Sequence, residues 1–163
     1  EGPAAIVPQQ ACWALPPPHA RRSMDASKIA REPHMDVFTT PGAFSWSELM
    51  THDPNAATEF YGTLFGWTIE PMPMAEGNYH VVKVGGEAVG GIMKMPPNAG
   101  PMPPAWGCYV TVADVDATAK RCTELGGKVA VPPQDIPGVG RFAVILDKQG
   151  AALNIITYAP RQA

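Results

Sequence analysis

Chemistry in this chain is concentrated in few residues, and one carboxylate stands out by its neighbours. From Phe44 to Met50, the residues Phe44, Trp46 and Glu48 alternate with Ser45, Ser47 and Leu49. That two-residue period is that of a β-strand, and it places Glu48 on the face of two large aromatics. On an enclosed face, loss of water raises the pKa of a carboxyl group and suits it to act as a general base or to bind a cation. Paired with Lys94, or standing at a rim, the same side chain is structural instead. His80 lies on a middle strand as a lone histidine, and His52 sits at a turn before a helix, where capping or solvation accounts for it. His19 and His34 fall in the first part of the chain. Cys108 has no neighbouring histidine to activate it as a nucleophile. Arg141 is a strand residue, either facing solvent or closing a cavity mouth against an anion. No helix-opening glycine-rich phosphate loop, Ser-His-Asp arrangement or Cys-His signature is present.

The elements that must hold these residues repeat. Trp46–Gly66 reads as strand, turn and helix, and Trp106–Gly126 follows the same grammar sixty positions later, with Thr51 on Thr111, Ala57 on Ala117, Val84 on Val144 and Gly90 on Gly150. Such an offset marks two copies of one supersecondary unit. Asp53 and Asp114 are placed to cap helices, Pro54 suits a first helical turn, and Gly66 and Gly126 suit the left-handed stop. Apolar stripes run along Ala57, Phe60, Tyr61 and Leu64 in the first helix, and along Val115, Thr118, Cys122 and Leu125 in the second. Strand-like segments follow each helix: 66–70, 78–84 and 87–95 in the first copy, 128–131, 141–147 and 151–158 in the second. Each copy therefore reads β-α-β-β-β. Residues 132–140 read as a loop long enough to move, and the proline-rich stretch 96–104 as a stiff linker.

Composition frames these units. The chain has 163 residues and a formal net charge of −3, with lysine and arginine scattered, which speaks against nucleic acid and anionic membranes as partners. No apolar run reaches the roughly 20 residues of a membrane helix. Cys12, Cys108 and Cys122 are odd in number and lack C-x-x-C spacing, which fits neither a disulfide framework nor a thiolate metal site and suggests a reducing cytoplasm. Residues 1–42 hold Pro16–Pro18 and the Arg21–Arg22 pair without a hydrophobic period. They read as a flexible arm, an upstream extension before Met24 or Met35, or a transit peptide weakened by its acids and prolines. The opening at Glu1 suggests a trimmed or incomplete chain.

Several of these features together resemble a known family. The first strand running into Asp53-Pro54, the F-Y-x-x-L-F-G-W helix end from Phe60 to Trp67, the V-x-D-V-D from Val112 to Asp116, the Gly126-Gly127 pair and the D-x-x-G from Asp147 to Gly150 are similar to the vicinal oxygen chelate superfamily. That group includes glyoxalases, extradiol dioxygenases, epimerases and bleomycin-resistance proteins. The resemblance covers about residues 43–159, with units at about 43–95 and 105–159. It implies an α+β fold in which two tandem βαβββ units form an open, cup-shaped, eight-stranded sheet with helices outside. It also implies a ligand cavity in the cup, and a homodimer, with units exchanged or simply paired. The superfamily's metalloenzymes carry His and Glu at four cup-facing slots. Here those slots match Trp46, Trp106 (Gly107 if the register slips by one), Lys94 and Asn154, a set that does not suit a divalent ion.

The expectation is thus a cup without the metal site and with no cofactor. Trp46 and Trp106 would wall a planar aromatic ligand, with Glu48, Asn154, Lys94 and His80 supplying polar contacts. Small-molecule binding of the bleomycin-resistance type is the first reading. A metal-independent lyase or isomerase using Glu48 as general base is the second, and a divergent metal-dependent glyoxalase or dioxygenase with ligands such as Glu48 and His80 is the third.

Overall fold

The computed structural model describes residues 35–74, 77–97 and 99–160. The proposed arm up to residue 34, with His19, His34 and Cys12, lies outside the described residues. Residues 37–42, expected to belong to that arm, form turns against the sheet: the Val37 carbonyl accepts from the Thr111 hydroxyl, and the Phe38 ring meets Trp46 and Tyr158.

The element order is β1 (Phe44–Thr51), α1 (Pro54–Phe65), β2 (Thr68–Met74), β3 (Gly77–Val84), β4 (Glu87–Lys94), β5 (Ala105–Thr111), α2 (Val115–Glu124), β6 (Lys128–Ile136), β7 (Gly140–Leu146) and β8 (Ala152–Tyr158). The strands make one eight-stranded sheet ordered β2-β3-β4-β1-β5-β8-β7-β6. The two βαβββ units meet where β1 and β5 pair antiparallel at the centre. Within each unit the first and last strands pair in parallel, β1 with β4 and β5 with β8.

Each helix starts and stops as its local sequence requires. The Asp53 side chain accepts from the Ala56 amide at 3.0 Å and that of Asp114 from Ala117 at 2.9 Å, so one of the free first-turn amides is satisfied in each helix. Gly66 closes α1 at φ 66°, which glycine enters without steric cost. The two caps Asp53 and Asp114 stand sixty-one positions apart, yet the stopping glycines Gly66 and Gly126 stand sixty apart, so the stretch from cap to glycine is one residue shorter in the second unit. A one-residue difference reverses the face of a strand. The sixty-residue alignment is therefore wrong by one in the first strands, and Gly107, not Trp106, takes the slot of Trp46.

Two core clusters fix which face is which. Leu49, Val82 and Ile92 pack under α1 with Ala57, Tyr61, Trp67 and Ile69, while Ala143 and Ile155 pack under α2 with Val115 and Ala119. Residues of the opposite parity, Trp46, Glu48, Tyr79, Tyr109 and Asn154 among them, line the concave, helix-free face. The segment read as a mobile loop after residue 131 is mostly strand: β6 continues through Pro132 and Pro133 to Ile136. It can do so because it is an edge strand, and its pairing with β7 shifts register between Val131 and Gln134, across the two prolines.

Candidate functional site on the concave face

Glu48 sits near the centre of the sheet, and its carboxylate is held at both ends. The Tyr109 hydroxyl donates to Oε1 and the Tyr79 hydroxyl to Oε2, each at 2.9 Å. The Tyr79 oxygen in turn accepts from the Trp46 indole Nε1 at 2.8 Å. Trp46 and Glu48 share a face, as their alternation predicts, and Tyr109 pairs directly with Trp46 across the β1–β5 seam.

Glycines make this convergence possible. On both sides, the residue that pairs with Glu48 has no side chain: Gly91 from β4 and Gly107 from β5. Tyr79 belongs to β3, two strands from Glu48, and its ring reaches the carboxylate by passing over Gly91. A Cβ at Gly91 would fall 1.9 Å from the Tyr79 hydroxyl oxygen. On the other side, a Cβ at Gly107 would stand 3.0 Å from Asn154 Nδ2. Asn154 itself donates to the Cys108 carbonyl at 3.1 Å.

Burial raises the Glu48 carboxyl above its ordinary value, and the hydrogen bonds from Tyr109 and Tyr79 pull it partly back. Both phenols are pushed up, first by burial and then by the charge of Glu48, so they stay protonated as donors at any physiological pH. Beside this group, Ser45 and Tyr158 share a hydroxyl contact of 2.9 Å. The resulting site is a carboxylate with elevated basicity, clamped by two neutral phenols, on a face otherwise stripped of side chains beside it.

Three expected site residues lie elsewhere. Trp106 pairs with Leu49 and points to the helix side, where it donates to the Tyr61 hydroxyl at 3.2 Å and meets Trp67 edge-on, the ring centroids 6.0 Å apart. Trp46 and Trp106 therefore cannot wall one ligand. His80 pairs with Ile92, a core residue under α1, and so shares the helix face; it cannot join Glu48 as a metal ligand. Lys94 pairs with Thr51 on that face too and forms no pair with Glu48. On that strand Gly91, which pairs with Glu48 as Asn154 pairs with Tyr109, holds the corresponding place on the concave side. Arg141 closes no cavity mouth: it forms ion pairs with Asp116 of α2 at 2.6 Å and with Asp135 at 3.1 Å. Tyr79 and Tyr109 are the site residues that sequence reasoning missed. Their signals were Tyr79 alternating with Val81 and Lys83, and Tyr109 two positions from Gly107.

The four slots that the resemblance assigns to a metal thus carry Trp46, Gly107, Gly91 and Asn154. An indole, two bare glycines and a single amide oxygen do not fit a divalent ion. Among the described residues, no three His, Cys, Asp or Glu side chains cluster to hold one.

This arrangement of paired βαβββ units around a central cup is that of the vicinal oxygen chelate class. The family description "Glyoxalase/Bleomycin resistance protein/Dioxygenase superfamily" matches residues 43–155, and the chain belongs to that superfamily. It is 45% identical over 122 residues to the "Putative glyoxylase CFP32" of Mycobacterium tuberculosis, matching 74% of this chain and 46% of the relative. It is 34% identical over 128 residues to "Anthracycline biosynthesis protein DnrV" of Streptomyces peucetius, matching 71% of this chain and again 46% of the relative. The chain thus spans about half the length of these curated relatives. Among solved structures it resembles a methylmalonyl-CoA epimerase from Mycobacterium tuberculosis (TM-score 0.56, 17% identity, 78% of this chain and 95% of that one). It also resembles a Mn(II)-bound glyoxalase from Novosphingobium aromaticivorans (TM-score 0.50, 18% identity, 76% of this chain and 42% of that one). At such identities these two share the fold. Among the described residues, no helix is long and apolar enough to cross a membrane.

Proposed function

We propose that the concave face binds a small organic molecule without a metal ion, and that Glu48 is the group that engages it. The observation that carries this reading is the Glu48 carboxylate with Tyr79 on one oxygen and Tyr109 on the other, set between two glycines. A ligand that presents an O–H or N–H to Glu48 exchanges one phenol donor for its own, and the released phenol is then free to donate to a ligand oxygen. One site thereby offers an acceptor and a donor a few ångströms apart. The relative named for anthracycline biosynthesis supports a ligand of the planar, oxygen-bearing kind, bound against Trp46 alone and not between two indoles. A cytoplasmic setting and a homodimer belong to the same reading, the dimer supported by the apolar side chains that α1 leaves exposed.

Proton transfer is the second reading, favoured by the raised pKa of Glu48. A carboxylate moved toward neutrality is a better base at working pH, and two phenols stand ready to stabilise an oxyanion formed beside it.

A thermal-shift screen with planar phenols, quinones and carbonyl compounds, run on wild type and Glu48→Gln, separates the readings. For binding, the compound that stabilises wild type loses affinity about 10-fold or more in the variant. For catalysis, affinity is kept and turnover falls about 100-fold. Equal affinity and equal turnover in the two proteins would exclude Glu48 from the site, and stabilisation by manganese, zinc or nickel reversed by chelator would overturn the metal-free reading.

A further inference from the structure

Residues 36–42 precede the first strand and lie across one end of the concave face. The Asp36 side chain accepts from the Phe38 amide at 3.0 Å, and the Asp36 carbonyl accepts from the Thr39 and Thr40 amides at 3.2 and 3.0 Å, so the turn is closed on itself. It is tied to the sheet as well. The Val37 carbonyl accepts from the Thr111 hydroxyl at 2.7 Å, and the Gly42 amide donates to the Thr111 carbonyl at 2.8 Å. Thr111, at the end of β5, is 4% exposed, which keeps these bonds out of water.

The turn presents Phe38 to the site. The Phe38 ring centroid lies 5.1 Å from that of Tyr158, edge to face, and 6.5 Å from that of Trp46, tilted by 50°. Trp46 is the indole whose hydrogen bond runs through Tyr79 to Glu48, and Tyr158 shares its hydroxyl contact with Ser45. Trp46, Thr111 and Tyr158 belong to β1, β5 and β8, neighbours at the middle of the sheet. The segment therefore crosses all three at the end where β1 begins, while the flanks of Glu48 are left bare by Gly91 and Gly107.

We infer that Phe38 is a specificity-determining residue of the concave site, the end wall that limits a ligand held at Glu48 and lying along Trp46 to one or two fused rings. The inference rests on the reading of Glu48 as the anchoring group and narrows the planar ligand to short phenols. Glu48 and Trp46 stand two residues apart on one face of a strand, about 7 Å along it. A ring or a fused pair fits that length, and a third ring in line runs into Phe38. The wall comes from outside the two repeated units, so the repeat alone does not set the length of the cup. Asp36 and Thr111 hold it in place before any ligand arrives. A wall held in this way discriminates by length, because moving it aside would break the bonds that fix the turn.

Isothermal titration calorimetry of the full chain with phenol, 2-naphthol and 2-anthrol, which carry one hydroxyl on one, two and three fused rings, tests it. Wild-type affinity is expected to rise from phenol to 2-naphthol with the added apolar area and to drop about 10-fold at 2-anthrol. In Phe38→Ala, 2-anthrol should gain about 10-fold or more while phenol changes less than about 2-fold. If alanine loosens the turn, as read by circular dichroism, Phe38→Leu keeps an apolar anchor without the flat ring and should still raise 2-anthrol affinity about 3-fold. Phe60→Ala, on the outer side of α1, should leave all three affinities unchanged. Failure of the Glu48 reading would show as equal affinities in wild type and Glu48→Gln; failure of the wall would show as an equal 2-anthrol-to-phenol ratio in wild type and both Phe38 variants. Wild-type affinity that climbs on through 2-anthrol, or binding of none of the three to either wild type or Phe38→Ala, would likewise overturn the inference.

Discussion

Glu48 and Tyr109 occupy the same place in the two halves of the molecule. Each stands five residues before the aspartate that caps its helix, each faces the cup, and the halves bring them together across the central seam at 2.9 Å. Equivalent positions at a twofold axis necessarily meet, and identical ionisable residues there would repel. Here one half contributes an acceptor and the other a donor, so the symmetry of the backbone is converted into a complementary pair. The neighbouring slots differ in the same direction: Trp46 in the first half is matched by Gly107 in the second. The space beside Glu48 comes from both halves, Gly91 from the first and Gly107 from the second.

The largest test of this asymmetry is at the two glycines flanking Glu48. Gly91→Val forces the Tyr79 ring out of its path and should cost about 3 kcal/mol, roughly 10 °C in Tm. Gly107→Ala meets only the Asn154 amide and should cost less than about 1 kcal/mol. Equal losses in thermal melts would mean that Gly91 is not the passage for Tyr79. Next in size are the phenols. Tyr79→Phe leaves both a Glu48 oxygen and the Trp46 indole without a partner and should cost about 2–3 kcal/mol, whereas Tyr109→Phe strands one oxygen and should cost about 1–2 kcal/mol by denaturant titration. The reverse order would show that the two halves contribute otherwise than their hydrogen bonds suggest.

A smaller effect is read through pH. Burial raises Glu48 above the ordinary 4.5, so in the window above that value the folded chain holds a proton that the unfolded chain has released. The stability this group contributes is fully present below 4.5 and is lost as pH rises through the raised value. The Tm of wild type minus that of Glu48→Gln should therefore be larger at pH 5 than at pH 8, and a difference that grows toward alkaline pH would contradict the burial of Glu48. Smallest of all, Arg141→Gln removes exposed ion pairs to Asp116 and Asp135 and should leave melting and ligand affinity within experimental scatter.

Much of this architecture was legible because it is written locally. Asp53, Pro54 and Gly66, and again Asp114 and Gly126, mark their helices within a dozen residues, and alternation alone placed Trp46 beside Glu48. What failed was register. Trp106 was assigned to the cup by an offset taken from the glycine stops, and one residue of difference in the spacing from cap to glycine moved it to the outer face; Lys94 failed because the same offset was carried on to β4, where Gly91 and not Lys94 answers to Asn154. Tyr79 and Tyr109 escaped notice because their partner is a residue thirty-one and sixty-one positions away, and no local pattern announces that a ring will cross a neighbouring strand over a glycine. The concave position of Asn154, by contrast, follows from its place on β8 opposite Tyr109.

The order of the strands leaves β2 and β6 as the outermost members of the sheet. Both carry two prolines, Pro71 and Pro73 in one, Pro132 and Pro133 in the other. A ring in place of an amide hydrogen gives an incoming strand nothing to grip, and the two adjacent prolines of β6 also fall where its pairing with β7 shifts register, so both margins of an otherwise extendable eight-stranded ribbon are made irregular. Replacing these prolines with valine would leave the cup and its carboxylate untouched, yet would turn two blunt margins into templates for fibril growth.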